Sequence, residues 1–218
     1  CCGPVRRRIV RKLPAEHAHR PVSGQNRNRR ETDAAGAFLL SGITAGQGRP
    51  VMVNGATVTG TNLRYPAVAE PINIVANQAN VVPYTFYLPA IDTVNEVTVV
   101  PNQQTVVTTP DAPGFQQMIP ANAGLKNRDG SPVTRTSVTC VEMDRTPAPL
   151  PGNVGTNVVF TSQPGGARPA QGMLIQVTYP NLAGLDPGTR VELYNFDPDL
   201  VRWYIYGYGR VSADGKLA

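Results

Sequence analysis

The stretch VTRTSVTCVEM, residues 133–143, is rich in β-branched residues and predicts a long strand. Similar short clusters recur along the chain and are separated by glycine and proline, which occur 21 times each. This excess argues against a helical bundle, because proline removes a backbone donor and glycine weakens a helix interior. No apolar run approaches the roughly 20 residues of a membrane-spanning helix. We therefore predict an all-β fold without a membrane span.

The other predicted strands are short and are bounded by turn residues. Side chains alternate along a strand, so one face of the predicted strand 80–89 carries Val82, Tyr84, Phe86 and Leu88. Pro83 lacks an N–H group and places that strand at an edge or a bulge. The Asn54-Gly55 dipeptide predicts a hairpin after a strand at 51–53. Further strands are expected at 37–40, 72–75, 97–100, 105–109, 115–119, 157–161, 173–179, 190–196 and 201–211.

Positive charge is concentrated in the first 30 residues. This segment holds nine lysine and arginine residues against Glu16, a net charge of +8, whereas residues 31–218 carry −3. A nucleic-acid-binding domain would carry its basic residues on a folded face, so we expect no nucleic-acid partner. Alone, the segment cannot bury enough surface to become ordered, so we predict an extended basic arm held by another protein surface. Its strand-like interaction residues are Val5, Arg6, Arg7, Arg8, Ile9, Val10 and Arg11.

Residue types that support catalysis are sparse. The two histidines, His17 and His19, stand in the arm, where their alternate spacing would let both bind one transition metal. Two solvated, neutral side chains are the simpler interpretation of this pair. Residues 31–218 contain no histidine, so a Ser-His-Asp or Cys-His site is not expected there. We predict a protein that is not an enzyme and has no cofactor.

A second weak metal candidate is the pair Asp197 and Asp199, which flank Pro198 on a predicted turn. Their carboxylates would suit a hard cation such as calcium. The favoured alternative is that they cap the turn through side-chain to backbone hydrogen bonds.

Cysteine usage leaves two interpretations open. Cys140 lies inside the predicted strand 133–143 and is best explained as a small buried hydrophobe. The alternative is an intermolecular disulfide from Cys1 or Cys2, which are adjacent and therefore poorly placed to bridge each other.

Aromatic residues cluster near the end of the chain. A two-residue period places Tyr204, Tyr206 and Tyr208 on one face, with Trp203 and Ile205 on the other. The three tyrosines would form an aromatic platform for a sugar or a protein. The favoured interpretation is that the rings pack across strands and that Trp203 anchors a core.

Two parts of the chain resemble known families. Residues 32–46, TDAAGAFLLSGITAG, resemble the core motif of carboxypeptidase regulatory-like β-sandwich domains. Much of the remaining chain is similar to the ZU5-like β module found upstream of Rhs/YD repeats. That similarity is carried by Thr108-Thr109-Pro110, Phe115, Ile119-Pro120, NRDG at 127–130, Val133-Thr134, LYNFDP at 193–198, Trp203 and GYGRVSADG at 207–215.

The resemblance implies two small β-sandwich modules in tandem behind the arm. The arm would span residues 1–30, the carboxypeptidase regulatory-like β-sandwich 31–93, and the ZU5-like β domain 94–218. Such modules occur in very large secreted or surface proteins of bacteria, where they precede, brace or plug a YD-repeat shell. The resemblance implies no catalytic residues, and it implies a polypeptide that continues beyond Ala218.

Three functions are compatible with these features. The leading hypothesis is a non-catalytic structural module of a bacterial secreted or cell-surface assembly, with its own longer polypeptide as partner. The alternative is a self-assembling subunit of an extracellular filament or layer, in which the arm adds a strand to the sheet of an identical subunit. The third is a carbohydrate- or calcium-dependent adhesion module built on the aromatic strand and the two aspartates.

Overall fold

The computed structural model describes residues 31–33, 35–82, 84–152, 155, 158–197, 200 and 202–218. The described residues form ten strands and two short 3₁₀ turns, Gly55–Thr57 and Met143–Arg145, and contain no α-helix. The predicted all-β fold is therefore confirmed. In this part of the chain, no helix has the length and apolar character needed to cross a membrane.

All strands pair antiparallel. The strands are β1 Gly46–Asn54, β2 Ala67–Ile74, β3 Val97–Thr98, β4 Thr105–Val107, β5 Gln116–Ile119, β6 Arg135–Cys140, β7 Phe160–Gln163, β8 Gln176–Thr178, β9 Arg190–Asp197 and β10 Arg202–Arg210. They form two three-stranded sheets, β3-β6-β7 and β4-β5-β8, and two two-stranded sheets, β1-β2 and β9-β10.

The main hydrophobic core lies between the two three-stranded sheets. Val138 and the partly buried Phe160 come from one sheet, and Val107 and Ile119 come from the other. Phe115, just before β5, is 1% exposed, and its ring packs edge-on against that of Phe160 with centroids 4.8 Å apart. The two sheets therefore enclose this core as the layers of a sandwich do, and burial of its apolar surface stabilises their packing.

Strand β6 is covered on both faces. Val138 and Cys140 face the main core, and Cys140 is partly buried there. Ser137 and Thr139 alternate with them and are also buried. The N–H group of Asp92 donates to the Oγ1 atom of Thr139 at 2.9 Å, so the connection that leads to β3 covers this second face.

The β1-β2 sheet lies beside a smaller core made of Tyr65, Leu88 and Ala90. Here the hairpin prediction at Asn54-Gly55 is wrong, because residues 55–66 separate the two paired strands. Gly55 is buried, and a Cβ atom at this position would overlap the carbonyl oxygen of Pro66. The glycine is therefore required by close packing rather than by a tight turn.

Two of the predicted strands, at 37–40 and 80–89, are wrong, because their described residues lie in no ladder. The second segment is shaped by side-chain contacts. The side chain of Asn80 accepts from and donates to the backbone of Val75, at 2.9 Å in each case. The ring of Phe86 lies near that of Tyr84, and Leu88 is buried in the smaller core. The predicted strand 133–143 is also shortened, since β6 ends at Cys140.

Candidate functional site

Several predicted site residues lie outside the described part of the chain. They are His17, His19, Asp199, the arm residues 5–11 and the cysteines at 1 and 2. Asp197 is described, and its Oδ1 atom accepts from the N–H group of Leu200 at 3.0 Å, which is a turn-capping hydrogen bond. Among the described residues, no group of three or more His, Cys, Asp or Glu side chains is placed to hold a metal ion.

The predicted aromatic strand forms half of a two-stranded ribbon, β9-β10. In the described residues these strands pair only with each other. The ring of Trp203 packs edge-on against that of Phe196 with centroids 5.5 Å apart, and its Nε1–H donates to the carbonyl oxygen of Pro149 at 2.9 Å. The hydroxyl group of Tyr206 donates to the carbonyl oxygen of Ile175 at 3.1 Å. These two hydrogen bonds tie the ribbon to the rest of the molecule.

The ribbon contains a β-bulge, so the prediction of one shared face is wrong for Tyr204, Tyr206 and Tyr208. The ladder register shifts between Ile205 and Gly207, which leaves residue 206 as the extra residue of the bulge. One inserted residue inverts the alternation that follows it. Tyr208 therefore lies on the same face as Trp203, and Tyr204 lies on the opposite face together with Asn195. The side-chain amide of Asn195 donates to the hydroxyl group of Tyr204 at 3.0 Å.

Both faces of the ribbon expose apolar surface. Tyr204 and Ile205 are each 40% exposed, although the register places them on opposite faces. Tyr208 is 55% exposed, and the guanidinium group of Arg190 lies 3.8 Å from the centre of its ring. Leu200, at the end of the ribbon, is also exposed. The aromatic surface is thus divided between two faces and does not form a single platform.

A cleft of about 560 Å³ separates the loop 55–65 from the start of β6 and the end of β7. Glu96 lies in this cleft between two arginines. Its Oε1 atom is 3.4 Å from Nη2 of Arg64, and its Oε2 atom accepts from Nε of Arg135 at 2.7 Å. The glutamate side chain is mostly buried, whereas both arginine side chains are more than half exposed. No local motif joins residues 64, 96 and 135, so nothing in the sequence alone pointed to this cluster.

The connection before β3 is anchored by a buried aspartate. Asp92 is 1% exposed, and its Oδ1 atom accepts from the N–H groups of Val94 and Asn95 at 3.0 and 3.1 Å. Its Oδ2 atom accepts from the side-chain amide of Asn95 at 2.7 Å. Together with the hydrogen bond from Asp92 to Thr139, these contacts hold the connection against β6.

Ser137 and Thr139 offer a matched test of this contact. The Oγ atom of Ser137 is buried and has no hydrogen-bond partner among the described residues, whereas Thr139 accepts from Asp92. We expect Thr139→Val to lower the free energy of unfolding by about 1–2 kcal/mol, because a buried N–H group loses its partner. Ser137→Ala should leave it unchanged or raise it by up to about 1 kcal/mol. Urea titrations of both variants measure these effects, and the reverse order would contradict the assigned contacts.

A buried carboxyl group lies in the β1-β2 sheet. Glu70, on β2, is 1% exposed, and its Oε1 atom has no hydrogen-bond partner among the described residues. Burial raises the pKa of Glu70 from 4.5 to about 7. Burial also raises the pKa of Tyr84, and the charge of Glu70 raises it further. Glu70 is therefore the described acidic group whose protonation is most strongly linked to the fold.

Comparison of the chain with protein-family models, with curated proteins and with solved structures finds no match. The resemblance to regulatory-like and ZU5-like modules therefore stays a prediction.

Proposed function

We propose that this chain is a non-catalytic structural module of a secreted or cell-surface bacterial assembly, where it braces or plugs an Rhs/YD-repeat shell. The resemblance of its second half to ZU5-like modules supports the proposal. The observation that carries it is the β9-β10 ribbon, which is tied to the body through Trp203 and Tyr206. The ribbon keeps Tyr204, Ile205 and Tyr208 exposed. Apolar side chains exposed on both faces of one ribbon are typical of an element that packs against another protein.

A brace also needs parts that do not move apart, and the region around the cleft supports this requirement. The N–H group of Ile91 donates to the carbonyl oxygen of Arg64 at 2.8 Å. Asp92 is bonded to β6 through Thr139, and Glu96 binds both Arg64 and Arg135. These contacts join the loop 55–65, the connection before β3 and strand β6.

The proposal is tested on native material captured with an antibody against residues 94–218. We expect a polypeptide much heavier than 23.3 kDa, with a hollow shell visible by electron microscopy. A native product of 23.3 kDa that forms no shell would overturn the proposal.

Substitution of the ribbon tests how the module would contact the shell. In the longer protein, Tyr204→Ser combined with Ile205→Ser should lower the melting temperature of the shell by several degrees, because apolar contact area is lost. The same pair should change the melting temperature of the isolated 218-residue chain much less. Leu39→Ser is the control, since Leu39 is 81% exposed and lies outside the ribbon. An equal effect of the control would contradict a specific role of the ribbon.

A filament or layer subunit is the second candidate, favoured by the two two-stranded sheets. Among the described residues, each strand of β1-β2 and β9-β10 has one edge without a ladder partner. Such edges accept an added strand, and residues 5–11 of another copy have the length and pattern of one. Deletion of residues 1–30 should then convert polymers into monomers, as seen by light scattering and electron microscopy. Polymers that persist after the deletion would exclude strand addition by the arm.

A further inference from the structure

We propose that the cleft between the loop 55–65 and the start of β6 binds an oxyanion, a carboxylate or a phosphate, carried on a small apolar body. The cleft holds about 560 Å³, which is within the range of about 300–1,000 Å³ usual for small-molecule sites. The inference goes beyond the proposed structural function, because a brace needs no small ligand. Either proposal can therefore fail without the other.

The donors for the oxyanion come from two arginines. A guanidinium group has five N–H donors, and Glu96 engages one nitrogen of each arginine. Arg135 binds Glu96 through Nε, which leaves its Nη1 and Nη2 atoms as further donors. These two nitrogens form a planar fork that matches two oxygens of a carboxylate or phosphate. Arg64 contacts Glu96 from the other side at 3.4 Å and keeps most of its donors.

The charge of the cleft favours an anion. Arg64, Glu96 and Arg135 are the charged residues among those that line it, which leaves a net charge of +1. The glutamate is mostly buried and the two arginine side chains are more than half exposed, so a ligand meets positive charge first. A concave site with an excess of one sign of charge attracts ions of the opposite sign. The exposed guanidinium groups are therefore the part of the cleft that an anion would contact.

The remaining walls define the rest of the ligand. Apolar surface comes from Val58, Leu63, Ile91, Val133 and Pro164. Gln163 adds a polar group, since its Oε1 atom accepts from the N–H group of Gly165 at 3.1 Å and its amide nitrogen remains as a donor. An apolar body with one anionic end is complementary to this combination of walls and donors.

The test uses the full 218-residue chain and three probes. Phenylacetate and phenyl phosphate carry the two oxyanions, and phenylacetamide is the neutral control. By calorimetry and NMR titration we expect at least one anion to bind at least tenfold more tightly than the amide, and the tighter anion identifies the ligand class. Equal binding of all three probes, or binding of none, would overturn the proposal.

Substitutions locate the site. Arg64→Gln and Arg135→Gln should each weaken binding of the anion by about tenfold, as expected for loss of a charge-assisted hydrogen bond. Arg49→Gln is the matched control, because Arg49 is exposed and lies outside the cleft. It should leave the affinity within about twofold of the wild type. A similar loss in Arg49→Gln would overturn the assignment to the cleft.

Glu96→Gln separates an effect on binding from an effect on folding, because it is expected to raise the affinity for an anion. Glu96→Gln removes the negative charge that competes for both guanidinium groups, so it should tighten anion binding by about threefold or more. A variant that had merely lost its fold would bind less tightly. Unchanged or weaker binding in Glu96→Gln, with a cooperative thermal transition retained, would contradict the proposed site.

Discussion

Glu70→Gln should remove a fall in stability that the wild-type chain shows between about pH 4.5 and about pH 7. The pKa of the carboxyl group is 4.5 in the unfolded reference and about 7 in the fold, where it is buried. Below pH 4.5 both states hold the proton, and the group has no effect on stability. As the pH rises to about 7, the unfolded state loses its proton first, so the free energy of unfolding falls.

The expected size of this effect is about 3 kcal/mol, because each unit of pKa difference corresponds to about 1.4 kcal/mol. Urea unfolding at about pH 4 and about pH 8 gives the free energy of unfolding of wild type and variant. The difference between the two proteins isolates the contribution of Glu70, because the ionisation of every other group is common to both and cancels. Glu142→Gln is the control, because Glu142 is exposed and forms only a surface pair with Arg145 among the described residues. Parallel pH profiles of wild type and Glu70→Gln would show that Glu70 ionises normally.

Asp92→Ala should lower the free energy of unfolding by about 3 kcal/mol, because three donors lose their acceptor inside the protein. Two of these donors are the backbone N–H groups of Val94 and Asn95, and a methyl group at residue 92 cannot accept from them. The connection before β3 should then detach from β6. Cleavage after Glu96 by a glutamate-specific protease would report this opening, and it should become much faster in the variant.

Asp129→Ala is the matched control for this prediction. Asp129 also accepts from a backbone N–H group and a side chain, both of Ser131, at 2.9 and 2.6 Å, but it is exposed. Water replaces the lost acceptor there, so the loss of stability should be much smaller than in Asp92→Ala. Equal destabilisation by the two variants would mean that burial of Asp92 adds nothing to the strength of its contacts.

The local sequence pattern predicted several of the strands. The predicted strands at 105–109, 115–119, 190–196 and 201–211 overlap β4, β5, β9 and β10, because β-branched or aromatic runs there end at glycine, proline or polar turns. The predicted strand 80–89 has a similar pattern, but its backbone finds no ladder partner among the described residues. Alternation shows which side chains prefer burial, and it does not show whether another strand lies alongside.

The cleft and the buried Glu70 could not be predicted from the sequence, because they are formed by residues that are distant along the chain. Glu96 meets Arg64 and Arg135 through contacts that span 32 and 39 positions, and such ion pairs leave no trace in the spacing of the residues. Glu70 precedes the predicted strand 72–75 in the sequence, and its burial depends on how the β1-β2 sheet is covered.

The sequence by itself determined the all-β class of the described residues, because β-branched clusters interrupted by glycine and proline disfavour long helices there. Only the tertiary structure decided which face each tyrosine of β10 occupies, since one extra residue at the bulge inverts the alternation. It also decided where charge is buried, because the environment of a carboxylate is set by distant segments that pack around it.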